Sequence, residues 1–337
     1  MIGSLMHQLE RRLAARDTER QPHAFDLGLE YLDPAPSPNP DPARALLQWA
    51  RDVVEDPPRF FVDPGPPPFA EEIDDDRVRF PSAVHTPHAS NNWVSLRLFR
   101  SDRPTRRAML VLPQWNADPE SHVGLCKMLA ERGITAARLT LPYHEDRSPY
   151  EGARADMAVS ANIGRTLRVS QQAVSDVRRA RAWLEQRGHQ RIGIIGTSLG
   201  SCISFLAVAQ EPAFKVGVLH HVSSYFGDVI WRGISTRHVR DELEGHCSQA
   251  AVRRFWAPIS PIHFVGRVSR QTHTLLLTGR YDLTFPYDLS ERFHRAFRQY
   301  GLPHQVVVVP WGHYTSGVFP FNAITVRRVL RYLDERL

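Results

Sequence analysis

Three features of the sequence predict an α/β architecture: a mostly parallel, doubly wound sheet with a helical insertion and an irregular N-terminal arm. From about residue 80 onward, apolar runs of strand length alternate with amphipathic runs of helix length, as parallel strands joined by crossover helices require. Near the middle, Ile192, Ile194 and Ile195 form a β-branched, uncharged run suited to a central parallel strand. The composition is 42% hydrophobic, enough to fill a sizeable core, yet no run approaches the apolar length of a membrane span.

Residues 1–80 read as the arm and 81–337 as the main domain. An amphipathic helix is expected within 1–20, with Leu5, Leu9 and Leu13 at helical spacing on the face that packs. The alternating prolines of 33–42 exclude a helix or a central strand there. A short helix is expected at 43–55, followed by a second proline-rich stretch at 56–68. The arm shows no chemistry. In the main domain, 93–99 alternates apolar and polar residues and predicts an antiparallel strand, while 108–112 is continuously apolar and predicts a central one. A helix at 124–131 ends before Gly133. A strand at 134–141, a long polar loop at 142–164 and a helix at 166–186 follow. Later strands are expected at 216–220, 274–278 and 305–309, with helices at 288–300 and 323–337. Residues 221–270 form an insertion, mostly helical and broken by Pro258 and Pro261, that is expected to cap the sheet.

Gly196-Thr197-Ser198-Leu199-Gly200 joins the isoleucine strand to an apolar helix and fits the G-x-S-x-G pattern of a nucleophile turn. A turn sharp enough to expose a serine brings neighbouring backbone close, which explains the glycines sterically. Ser198 then lies at a helix N-terminus, where backbone N–H groups face developing negative charge. A serine hydroxyl needs a base, and the base needs an orienting acid. In open α/β sheets such groups gather beyond the carboxyl ends of the strands. Asp282 follows the strand at 274–278. Its rivals are Asp288, which a capping box over 288–291 explains, and Asp228. His313 follows the last strand, and its weaker rival, His304, precedes that strand. The expected catalytic set is Ser198, Asp282 and His313. For the oxyanion, the Leu199 N–H is expected to act with a donor from Gln114 or Trp115, on the loop after 108–112, where the common His-Gly form is absent. His144, His221, Tyr225 and Trp231 are possible substrate contacts. The insertion's Tyr225, Phe226, Trp231 and Trp256 suit either an apolar acyl pocket or burial of the insertion on the core.

The order Ser198, Asp282, His313, with the strand–turn–helix context, resembles the α/β-hydrolase superfamily. Leu112-Pro113-Gln114-Trp115-Asn116, Pro142-Tyr143-His144, Asn162-Ile163-Gly164-Arg165-Thr166 and 221–226 further resemble a poorly characterised branch, the α/β-hydrolase domain-containing group numbered eighteen. The resemblance implies an α/β-hydrolase fold over about 85–337 and serine hydrolase activity, and no substrate; the expected reaction is cleavage of a small-molecule carboxylic ester, with no cofactor and no metal. Acyl transfer and thioester or peptide cleavage would use the same residues. A non-catalytic ligand-binding protein on the same fold is the rival from another class. The net charge of +6 does not point to nucleic acid: all but two of the 42 basic residues are arginines, interleaved with acids and not blocked together. Cys126, Cys202 and Cys247 form neither a metal motif nor a disulfide framework. The first dozen residues lack the charged-then-apolar order of a secretory leader, so a cytoplasmic location is expected.

Overall fold

The computed structural model describes residues 2–337. The arm contributes α1 (Ile2–Ala14), α2 (Pro42–Glu55), β1 (Glu71–Glu72) and β2 (Arg77–Pro81). Next come β3 (Trp93–Phe99), β4 (Arg107–Leu112), α3 (Val123–Glu131), β5 (Thr135–Leu139) and α4 (Ile163–Gln186). The centre holds β6 (Arg191–Thr197), α5 (Leu199–Gln210) and β7 (Val216–His220). The insertion forms α6 (Phe226–Arg232), α7 (Arg237–Leu243) and α8 (Gln249–Phe255), and β8 (His273–Gly279), α9 (Tyr287–Gln299), β9 (His304–Val309) and α10 (Phe321–Arg336) complete the chain.

All nine strands join one sheet in the order β1-β2-β3-β5-β4-β6-β7-β8-β9. The first three pair antiparallel, and β3 joins β5 antiparallel; from β5 to β9 every pairing is parallel. This is the mostly parallel, doubly wound sheet expected, with the α/β-hydrolase order of elements. Burial follows the predicted patterns: β3 alternates inward and outward, whereas β5 and β7 are buried throughout. The chain winds away from β4 in both directions, with β5 on one side and β6 on the other. The loops leaving β4 and β6 therefore part and open a crevice at the carboxyl edge.

Two apolar layers clamp the sheet. One contains Met6, Leu125, Leu129, Leu330 and Leu333, from α1, α3 and α10. The other contains Leu46, Val177, Phe205 and Phe293, from α2, α4, α5 and α9, with the insertion behind them. The boundary expected at residue 80 falls at the end of β2. The arm is stitched to the core by Phe60 and Phe61, both buried, whose carbonyls accept bonds from Gln171 and Arg178 of α4. No helix among the described residues is long and apolar enough to cross a membrane.

Three local expectations change. α1 does not pack through the Leu5–Leu9–Leu13 face: Met6 and Glu10 are buried and Leu5 is 65% exposed, because a carboxylate finds backbone donors beneath the helix. The short strands β1 and β2 lie in a stretch read as irregular, where two to five residues carry too little periodicity to register. Asp288 does not cap α9. That helix starts one residue earlier, and the Asp288 carboxylate instead takes a bidentate bond from Arg232, both contacts 2.8 Å.

α4 carries a buried ion pair. Arg147 and Asp176, each no more than 1% exposed, lie 2.8 Å apart, and Arg147 also donates to the carbonyls of Thr140 and Asn91. Ser82 donates to the other Asp176 oxygen. Burial raises the Asp176 carboxyl against the opposing charge of Arg147. Removing one member strands the other without water. Arg147→Met is expected to lower unfolding stability by about 3–5 kcal/mol in urea titration; a loss under about 1 kcal/mol, the range of an exposed pair, would show that the pair does not anchor α4.

Candidate active site

Ser198 sits between β6 and α5 at φ 57°, ψ −119°, a conformation that a residue with a Cβ rarely adopts. Its neighbours hold it there: the Ser198 N–H donates to His220 O at 2.9 Å, and the Ser201 hydroxyl lies 2.7 Å from Ser198 O and 2.9 Å from His221 O. The glycine pattern has the steric cause expected. A Cβ on Gly196 would run into Gly200 O and Ser204 Oγ, and one on Gly200 would run into Pro113 O and Leu112 O. The second clash matters for chemistry, since it presses the β4 loop against the first turn of α5.

His313 Nε2 lies 2.9 Å from Ser198 Oγ, and His313 Nδ1 lies 2.9 Å from Asp282 Oδ2. Phe285 stacks on the imidazole at 5.1 Å and fixes its plane. Asp282 is 4% exposed, and its other oxygen accepts the N–H groups of Thr284 and Phe285 at 2.8 and 2.6 Å. Burial acts to raise the Asp282 carboxyl. The His313 charge, the hydrogen bond from His313 and the close approach of His221 outweigh it and hold the group well below the usual carboxylate range. Burial acts to lower His313, but the Asp282 charge and hydrogen bond, with Glu10 further off, carry it above the ordinary histidine value. The rival acid Asp228 is engaged elsewhere, by Arg253 and Gln249.

His221 is fully buried with Nδ1 2.8 Å from the same Asp282 oxygen, a short contact off the line of a good hydrogen bond, and Nε2 3.0 Å from Ser316 Oγ. Its ring lies 4.0 Å from that of His220 and 4.5 Å from that of His313. His221, Asp282 and His313 bring donor atoms within 4.8 Å of one another, the one such metal-competent group among the described residues. The Asp282 oxygens already face two imidazoles and two backbone N–H groups, and His313 is turned to Ser198. The carboxylate is therefore shared between the two rings.

The other expected contacts divide. Gln114, Trp115 and His221 line the same cleft as Ser198, a space of about 1190 Å³. His144 does not line it. It is 2% exposed, with Nδ1 2.9 Å from Pro142 O and Nε2 accepting the Asn116 N–H at 3.1 Å. It braces the β4 loop from behind, and burial pushes its pKa down to about 4. Asn116, at φ 56°, accepts the Ala155 N–H, and the Trp115 indole donates to Ala155 O, so this loop is pinned on both sides. Tyr225 and Trp231 also lie outside the lining: Tyr225 stands under the guanidinium of Arg253 and Trp231 packs on the core. Phe226 and Trp256 are buried edge to face at 5.5 Å. The insertion's aromatics therefore bury it on the core. Leu199 opens α5, which leaves its N–H among the free donors of a helix start.

Two groups packed against the candidate site escaped the sequence reading. His122, at the N-cap of α3, places Nε2 2.9 Å from Thr197 Oγ1 beside Ser198, and burial pushes its pKa down to about 4. Glu10 of α1 reaches under the His313 loop and accepts the N–H groups of Tyr314 and Thr315 at 3.1 and 2.8 Å and the Thr315 hydroxyl at 2.8 Å. Gly312 is required there, because a Cβ would strike the Glu10 side chain. A signal was present, a lone acid on the inner side of an amphipathic helix, but the leucine stripe masked it. Glu10→Ala leaves buried donors without an acceptor and is expected to cost about 1–3 kcal/mol per donor in urea unfolding; a variant as stable as the parent would remove Glu10 as the anchor of this loop.

Residues 164–337, just over half of the chain and including all three relay residues, match the prolyl oligopeptidase family. No curated protein matches the sequence. Among solved structures, Pyrococcus horikoshii acylaminoacyl peptidase is similar at 16% identity and TM-score 0.58, over 78% of this chain and 41% of the peptidase. This chain thus spans less than half the length of that protein. A thermostable carboxyl esterase from Bacillus coagulans is similar at 12% identity and TM-score 0.57, over 77% of this chain and 98% of the esterase. Est1E from Butyrivibrio proteoclasticus, solved with ferulic acid, is similar at 13% identity and TM-score 0.54, over 72% and 95% of the two chains. These likenesses agree with the fold, and the sequence match over 164–337 makes the chain a member of the prolyl oligopeptidase family.

Proposed function

We propose that the protein is a serine hydrolase that cleaves a small-molecule carboxylic ester through an acyl-enzyme on Ser198. The observation that carries this reading is the continuous relay from Ser198 Oγ through both nitrogens of His313 to Asp282, each step 2.9 Å. Ser198 attacks the carbonyl carbon while its proton passes to His313 Nε2. Asp282 holds Nδ1–H and stabilises the imidazolium. The negative charge that develops on the carbonyl oxygen meets the Leu199 N–H and a donor from the Gln114–Trp115 loop, pressed together by the Gly200 contact. The ester C–O bond breaks as His313 returns the proton to the leaving alcohol. Water then attacks the acyl carbon, with His313 taking its proton; the Ser198 Oγ–acyl bond breaks, His313 returns the proton to Ser198 Oγ, and the acid leaves. The chain's own residues supply every group these steps use.

The second reading is cleavage of an amide bond in a peptide by the same residues. The family favours it, and the acylaminoacyl peptidase among the similar structures accords with it. The full-length esterases of similar size favour the ester. The likeness of four loop segments to the group numbered eighteen assigns no substrate, and neither reading needs it.

Two experiments follow. Fluorophosphonate should label the parent protein and not Ser198→Ala, and p-nitrophenyl ester turnover should fall by roughly 10⁴-fold or more in that variant. Unlabelled, well-folded parent protein would favour a non-catalytic binding role, and faster cleavage of acyl-peptide anilides than of esters would favour the peptidase reading. Because His313 must be neutral to act and its pKa is raised, kcat/KM is expected to climb with pH through a limb above the ordinary histidine value of about 6.5. Glu10→Gln keeps an acceptor oxygen and removes the charge that favours imidazolium, so the limb should move to lower pH; an unmoved limb would separate Glu10 from the chemistry.

A further inference from the structure

The cleft at Ser198 touches the insertion only at His221 and Ser235, and the insertion's aromatics are used up in packing. It continues along the opposite side of the sheet edge, between α3 and α10. On α3 the lining positions are Gly124, Met128 and Arg132, spaced i, i+4, i+8 and so on one face. On α10 they include Ala323, Val326, Leu330 and Asp334, again one face. Ile195 of β6 and Leu125 supply a floor that is 3% and 8% exposed. Polar groups stand at the two ends. His122 and Thr197 mark the junction with Ser198, and among the described residues His122 Nδ1 has no partner. At the far end Arg132 reaches across to Asp334, 3.9 Å away, and ties the helices together. The middle is mainly apolar, lined by Met128, Val326 and Leu330, with the buried hydroxyl of Thr325 as a polar group on the α10 wall. Gly124 keeps it open: a Cβ there would meet nothing within 4 Å, so the glycine is not required by crowding from neighbours, and its φ is not positive. Eight to eleven residues of facing helix make a groove about 12–16 Å long.

The geometry points to this groove as the site for the acyl chain of the substrate, an unbranched, medium-length hydrocarbon whose carboxyl carbon lies at Ser198. The inference rests on the serine hydrolase reading for its orientation. A hydrocarbon is the occupant that fits, because the space begins at the nucleophile, is floored by Ile195 and Leu125 and walled mainly by Met128, Val326 and Leu330, and is bridged at its end by an ion pair. A peptide in the same place would lay most of its amides against apolar side chains.

Fatty-acid binding tests the groove without breaking a bond. Titration with dansylamino-undecanoic acid should show saturable fluorescence enhancement in the parent protein. Gly124→Leu, which fills the open position with a better helix former, and Val326→Trp on the facing helix should each weaken binding by roughly tenfold or more. Lys127→Ala, exposed on α3 and outside the lining, should leave it unchanged. In parallel, the ratio of p-nitrophenyl octanoate to acetate turnover should fall in the two groove variants. Binding that is absent, or indifferent to both substitutions, overturns the groove even if the protein hydrolyses acetate. A Gly124→Leu variant that turns a dimer into a monomer in gel filtration, with no change in acid binding, overturns it in favour of a second copy of the chain. Acid binding lost in both variants supports the groove even if no ester is cleaved, and in that case only the hydrolase reading fails.

Discussion

The left-handed backbone at Ser198 is the constraint from which the rest of the site follows. A residue forced into such a conformation costs on the order of 1–3 kcal/mol and persists only where its surroundings over-determine it. Here the surroundings are four pieces of chain brought within van der Waals contact. β6 ends at Thr197, α5 begins at Leu199, β7 supplies the acceptor His220 O, and the β4 loop lies against Gly200. Each approach needs a missing Cβ or a hydroxyl that can turn back to a carbonyl, and Gly196, Gly200 and Ser201 provide them. The strain aims the serine hydroxyl at the imidazole and brings the two expected oxyanion donors to the same side of it.

The electrostatics are arranged around one carboxylate. Asp282 is buried, but it meets two backbone N–H groups and two imidazoles, so its charge is supported where desolvation alone would neutralise it. That charge is what keeps His313 basic. Glu10 adds to it from a distance and, at the same time, holds the loop that carries His313. The N-terminal helix is thus part of the scaffold of the candidate site, although it enters the structure from a segment otherwise given to proline-rich connections.

The insertion and the groove divide the remaining work. The insertion closes one layer of the core through Phe226 and Trp256, while His238 stacks on Trp115 at 5.7 Å and so touches the β4 loop. The other layer, where α3 and α10 flank the sheet, keeps the open space. That asymmetry follows from composition: large aromatics fill the volume beneath the insertion, whereas Gly124 and Ala323 leave it empty between the two helices.

Much of this was legible in the sequence because it is local. Alternating apolar runs fix strands and helices, and G-x-S-x-G with an aspartate and a histidine after later strands marks groups that a parallel sheet must gather at one edge. The residues that went unread depend on contacts between distant segments. Glu10 is 305 positions from its partner Thr315, and which face of α1 turns inward was decided by that acceptor and not by the leucine stripe. His144 and Tyr225 lie near the site in sequence logic, but the tertiary fold turned them to Asn116 and Arg253. Sequence by itself determined the order of elements and which side chains meet at the candidate site, since periodicity and turn chemistry act over a few residues. Only the tertiary structure decided which buried polar atoms found partners and where space was left, because satisfaction and packing are properties of the assembled core.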